Sequence, residues 1–166
     1  MASMKISRAL TLACLCATRG VGAEPAAPPA VHHERGAATL EVITGGGTQA
    51  LRESLADIAP ELGDWIVDFA YGDVVSRPAL DLCTRELVTV GALTALGNAA
   101  PQLRAHLKGA LNAGCTPRQI VEVILQMGVY AGFPTALNGI AAAREIFIER
   151  GITVDSPAAP VAAPAK

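Results

Sequence analysis

The chain has 166 residues, of which 51% are hydrophobic and 17% charged, with a formal net charge of −2. An average domain carries about 25% charged residues, so a single small core would leave apolar surface exposed, and a homo-oligomer is the simplest way to cover it. The absence of a basic excess and an aromatic content of 4% exclude a nucleic-acid footprint and base-stacking platforms.

Residues 1–23 read as a secretory signal. Lys5 and Arg8 open it, Ala9–Ala17 (ALTLACLCA) is its apolar centre, and Val21-Gly22-Ala23 is a small-residue cleavage site. The apolar run is too short to span a bilayer. Export to the periplasm or medium is expected; a late arginine, Arg19, makes an organelle transit peptide the alternative. Cleavage would remove Cys14 and Cys16 and leave Cys83 and Cys115. Residues 24–47, rich in Pro, Ala and Gly, read as a linker. Within it His32-His33 is too sparse a pair to hold a metal alone and is expected to be solvated, and Ala38–Thr44 (ATLEVIT) has the look of a short strand without a partner.

An all-helical domain is predicted over residues 48–151. A helix follows Thr48 and runs to Ala59, and a second opens with Pro60 and ends near Gly72, with Trp65 and Phe69 at core spacing. After the GDVVSRP loop, Asp81 caps a helix over Leu82–Leu96, stopped by Gly97. Another runs from Pro101 to Ala113. Thr116-Pro117-Arg118-Gln119 then combines an N-cap threonine, proline at the first helical position and glutamine three residues on. That helix reaches Tyr130, and a last one covers Thr135–Arg150. Residues 152–166 form a Pro/Ala tail expected to be disordered.

The residues able to do chemistry sit on apolar helix faces. Glu86 is flanked one turn away by Leu82, Cys83, Thr89, Val90 and Leu93, so its carboxylate must be paired or neutral. A surface ion pair with Arg85 is the plainer explanation. His106 lies off the wet Arg104/Lys108 stripe, beside Gln102, Leu103, Gly109 and Ala110. Glu122, Gln126 and Tyr130 recur at i, i+4 and i+8 on a helix that is otherwise apolar and expected to be engulfed. Together these groups predict an internal polar pocket. No C-x-x-C, H-E-x-x-H, G-x-S-x-G or phosphate-binding glycine loop is present, and Glu86, His106 and Glu122 match no standard metal spacing, so no metal is expected.

Ser76–Leu96 (SRPALDLCTRELVTVGALTAL) and Pro101–Asn138 (PQLRAHLKGALNAGCTPRQIVEVILQMGVYAGFPTALN) resemble the carboxymuconolactone decarboxylase family, which has the alkylhydroperoxidase D-like helical fold. The resemblance runs from Leu51 to Arg150. It implies an all-α domain of about six helices that assembles as trimers or hexamers. The hydroperoxidase branch of the family uses two cysteines that would fall on Ala99 and Gln102; both thiols are missing, although Glu86 and His106 match its proton relay. The resemblance therefore implies the decarboxylase branch, closest to 4-carboxymuconolactone decarboxylase: a lyase without cofactor acting on a small lactone or keto acid. In that reading His106 is the acid/base and Glu86 orients it, Tyr130 and Gln126 hold the lactone or enolate oxygen, and Arg85 or Arg77 binds the substrate carboxylate. The alternatives are an alkylhydroperoxidase-like (peroxiredoxin-type) oxidoreductase dependent on Cys83 and Cys115, and a non-catalytic module that binds a small acid.

Overall fold

The computed structural model describes residues 29–161; the expected signal segment and the last five residues of the tail lie outside them. Every regular element among the described residues is helical. The α-helices are α1 (Pro29–Thr44), α2 (Thr48–Glu53), α3 (Pro60–Trp65), α4 (Leu82–Leu96), α5 (Ala100–Asn112), α6 (Pro117–Tyr130) and α7 (Phe133–Arg150). A π-helix, Ile66–Val75, continues α3 without a break. None of these helices is long and apolar enough to cross a membrane.

The core forms where α4, α5, α6 and α7 meet, around Val90, Leu107, Ile120, Ile124 and Ile146. The starts and stops of these helices follow the local chemistry of the chain. The Asp81 carboxylate accepts from the Thr84 N–H at 2.8 Å and from the Thr84 hydroxyl at 2.9 Å. These bonds hold its pKa below the ordinary value of 3.8. Thr116 and Gln119 close a reciprocal capping box around the first turn of α6. Gly97 and Gly151 end α4 and α7 in the left-handed conformation, at φ 72° and 63°.

A disulfide joins Cys83, in the first turn of α4, to Cys115, in the loop before α6, with Cα atoms 5.1 Å apart. Closing a loop across 32 positions stabilises a fold by roughly 3–4 kcal/mol in the chain-entropy account.

The structure corrects the reading of the N-terminal third. The short strand is absent, and the expected linker is largely helical where it is described, because residues 29–44 form α1. Pro29 suits a first helical turn, and Gly36, Leu40 and Ile43 recur at i, i+4 and i+7 on its buried face. That face lies directly on the π-helix. A Cβ on Gly36 would run into the Val67 carbonyl, and one on Gly72 would sit 2.5 Å from the His32 carbonyl oxygen. Two glycines thus let two backbones touch. His32 and His33, partly exposed, are not left to solvent alone: they pair with Asp73 and Asp68 of the π-helix, the second at 2.6 Å. Arg35 adds a bond from Nε to the Gly72 carbonyl at 2.8 Å.

The π-helix also explains why Trp65 and Phe69 are not core. Its period is wider than that of an α-helix, so Val67 and Gly72, five apart, face α1, while Trp65 and Phe69 are 65% and 63% exposed. The first domain helix is shorter than expected and gives way to turns after Glu53. The described part of the tail has no regular structure but is tied down. Ile152 packs on the core, and Asp155 accepts from Arg118 at 2.5 Å.

Gly36→Ala should force α1 off the π-helix and cost about 1–3 kcal/mol, read as a lower urea midpoint at unchanged m-value. An unshifted midpoint would show that the close backbone contact carries no stability.

Candidate functional site

Glu86 is 2% exposed, on the face of α4 that α5 covers. Burial of a carboxylate costs several kcal/mol unless a partner is supplied, and the partner is His106. His106 Nδ1 lies 2.9 Å from Glu86 Oε2. A carboxylate can only accept, so Nδ1 carries the proton and Nε2 is left with its lone pair. The imidazole side chain is 24% exposed, so one edge of the ring faces the protein and another faces outward.

Gly109, one turn after His106, makes the contact possible. A Cβ there would stand 2.7 Å from Glu86 Oε2 and 2.8 Å from Ile43 Cγ2. No side chain fits between α5, α4 and the end of α1. Ile43 is itself 3% exposed, so α1 forms part of the wall that keeps water from Glu86. Asn112, on the next turn of α5, fastens that wall by donating to the Ile43 carbonyl at 2.8 Å.

Tyr71, on the π-helix, belongs to the same neighbourhood and was not legible in the sequence. Burial, and then the charge of Glu86, push its pKa from 10.0 up to about 12. The phenol therefore stays a neutral hydrogen-bond donor. Tyr71 lies fifteen positions before Glu86 on another helix, and no spacing rule connects them; the π-helix, a form frequent at functional sites, is the only pointer.

The other expected site residues fall elsewhere. Arg85 and Arg77 meet each other at the start of α4, where Arg85 Nη2 donates to the Arg77 carbonyl at 2.8 Å. Arg85 Nε is buried without a hydrogen-bond partner among the described residues. Gln126 and Tyr130 do not join an internal pocket. The buried face of α6 is Ile120, Ile124 and Gly128, and the Glu122–Gln126–Tyr130 stripe is offset from it by two residues, about 200° around the helix. Tyr130 is consequently 78% exposed, and Gln126 lines a shallow groove between α4 and α6 with Val88, Gly91 and Met127. The helix is not engulfed within one chain: Leu125 and Val129 are exposed as well.

The arrangement combines a buried carboxylate, an imidazole with a free nitrogen, and a neutral phenol. It is suited to moving one proton at Nε2 while Glu86 balances the charge on the ring. Cys83 and Cys115 are engaged with each other, and Cys115 is fully buried.

Comparison with known proteins identifies the family. The model of the carboxymuconolactone decarboxylase family matches residues 60–145. A 4-carboxymuconolactone decarboxylase of Acinetobacter baylyi is 40% identical over 100 residues, covering 60% of this chain and 74% of that protein. An uncharacterized 15.0 kDa protein of Paracoccus denitrificans is 34% identical over 97 residues, 58% of this chain and 72% of its own length. A nitrosuccinic acid decarboxylase of Metarhizium robertsii is 37% identical over 76 residues, 45% of this chain and 52% of that enzyme.

Glu86→Gln should lower the Tyr71 titration from about 12 while leaving it above 10, because burial, the larger cause, persists. The unfolded phenol ionises near 10.0 and the folded one near 12. Its contribution to stability is therefore intact below pH 10 and lost as pH rises through that window. Tyrosinate absorbance, with Tyr71→Phe to identify the late step, measures both; a Tyr71 titration unchanged by Glu86→Gln would refute the coupling.

Proposed function

The chain belongs to the carboxymuconolactone decarboxylase family, and we propose that it is a decarboxylase using the Glu86–His106 pair as its acid/base. The observation that carries this is the 2.9 Å contact between a fully buried carboxylate and a half-open imidazole. The substrate class we propose is a small acid whose carboxylate is conjugated with a lactone or keto group, with 4-carboxymuconolactone as the first candidate. The names of the relatives in Acinetobacter and Metarhizium, both decarboxylases, support the reaction type.

Such acids lose carbon dioxide because the electron pair of the breaking C–C bond passes into the neighbouring carbonyl and leaves an enolate. The protein must hold that oxyanion and return one proton to carbon. His106, once its Nε2 lone pair has taken a proton and Glu86 balances the charge, delivers that proton to carbon and takes another from solvent. Tyr71, neutral and within reach of the Glu86 charge, is the donor we assign to the enolate oxygen. Arg85, whose Nε has no partner among the described residues, is the group we assign to the substrate carboxylate, supported by Arg77. No step calls on a cofactor.

Tyr130 and Gln126 take a different part in this proposal. Val88, Leu125, Val129, Phe133 and Leu137 are all more than half exposed, an apolar surface of the kind that self-association covers. We propose a trimer or hexamer in which the outer face of α6, Tyr130 and Gln126 included, is an interface. Export to an oxidising compartment is also part of the proposal, and the Cys83–Cys115 disulfide is the observation that supports it.

Purified protein should release carbon dioxide from 4-carboxymuconolactone, and His106→Ala should lower kcat by about 10²–10⁴-fold. Absence of release by the wild type would exclude that substrate, and a full rate in His106→Ala would remove His106 from the chemistry.

A further inference from the structure

The charged residues of α7 are matched, with one exception. Glu145 pairs with Arg104 and Glu149 with Lys108, both on α5, and Arg150 donates to the Asn112 side-chain oxygen at 2.9 Å. Arg144 is exposed, and its guanidinium has neither an ion pair nor a hydrogen bond among the described residues. Its neighbours one turn away on α7 are Ile140 and Ile148, which offer it no charge. Arg144 lies instead on a groove of about 430 Å³ between α6, α7 and the segment that follows α7. Val121 comes from α6, Ile140, Phe147 and Ile148 from α7, and Ile152 and Val154 from the segment beyond. Apart from two arginines, every side chain of the lining is apolar. Ile148 is 74% exposed, so part of this apolar surface stands open to water. Neither Glu86 nor His106 lines the groove.

The second arginine of the lining, Arg118, is already engaged: it donates to Asp155 at 2.5 Å. That pair is neutral, and it ties down the segment that carries Ile152 and Val154. One positive charge, that of Arg144, is left without a match beside an apolar surface. Small-ligand sites are mostly apolar, hold a few polar groups that orient the ligand, and span about 300–1,000 Å³; this groove lies at the small end of that range. A polar ligand would leave the apolar lining in water, a plain hydrocarbon would leave Arg144 unmatched, and a dianion would bring a charge with nothing to meet it. We propose that the groove is a second binding site, independent of the Glu86–His106 pair and of the decarboxylase reading, for a small monocarboxylate with a hydrocarbon chain. The chain covers Ile140, Phe147 and Ile148, and the carboxylate pairs with the Arg144 guanidinium.

Octanoate is a suitable probe and octanol its uncharged control. Titration of the wild-type protein with octanoate, followed by methyl NMR, should give saturable shifts at Val121, Ile140, Ile148 and Ile152 and leave the His106 ring signals unmoved. Arg144 is exposed, so its pairing with a carboxylate is screened by water. Arg144→Gln should therefore weaken octanoate about threefold to fivefold and leave octanol binding as before. Ile148→Ser, at an exposed position where substitution is well tolerated, should weaken both ligands. The proposal fails if the shifts do not saturate, if they centre on His106, or if Arg144→Gln binds octanoate as tightly as wild type or weakens octanol equally. It fails too if dilution without ligand moves the same methyl signals, since a second copy of the chain would then cover the groove.

Discussion

A carboxylate removed from water is the constraint to which the middle of this fold answers. Glu86 sits in an apolar helix face where an unpartnered charge would cost several kcal/mol, and the structure meets that cost with one imidazole nitrogen at 2.9 Å. The contact requires α4 and α5 to lie close, which explains a glycine rather than any larger residue at position 109. It also requires water to be kept out, which is the work of α1 through Ile43. The disulfide between Cys83 and Cys115 pins the turn of α4 just before Glu86, so the carboxylate is held from both ends of its surroundings.

The same constraint links packing to chemistry. A histidine whose Nδ1 is committed to a buried acid presents Nε2 in a defined direction and can carry a positive charge without leaving that charge unbalanced. Tyr71 registers the same negative charge, and its pKa, pushed up to about 12, keeps it a donor. Three groups from three helices therefore share one electrostatic environment. Cys83 and Cys115 are bonded to each other and serve as a staple.

Much of this was legible in the sequence wherever the signal is local. Asp81, Thr116 with Gln119, Gly97 and Gly151 mark their helix ends by short-range bonding, and each behaves as its type predicts. Glu86 was legible as a charge on an apolar face that needs a partner, but that face pointed first to Arg85, and its link with His106 came from the family resemblance. What stayed hidden depends on contacts between distant segments. Nothing local distinguishes α1 from a linker, since its stability comes from Gly36 meeting the π-helix backbone. The π-helix itself changes the period on which the reading of Trp65 and Phe69 relied. Periodicity placed Glu122, Gln126 and Tyr130 on one stripe correctly, but it says which side chains share a face, not which face turns inward. Ile120, Ile124 and Gly128 took the inward one.

The most direct test of the Glu86–His106 account is the tautomer of His106, read from the ¹⁵N chemical shifts and long-range couplings of its ring in the neutral form. The account predicts the proton on Nδ1 in the wild type, with that preference weakened in Glu86→Gln. A wild-type His106 protonated on Nε2, or a ring whose tautomer ignores the Glu86 substitution, would contradict it.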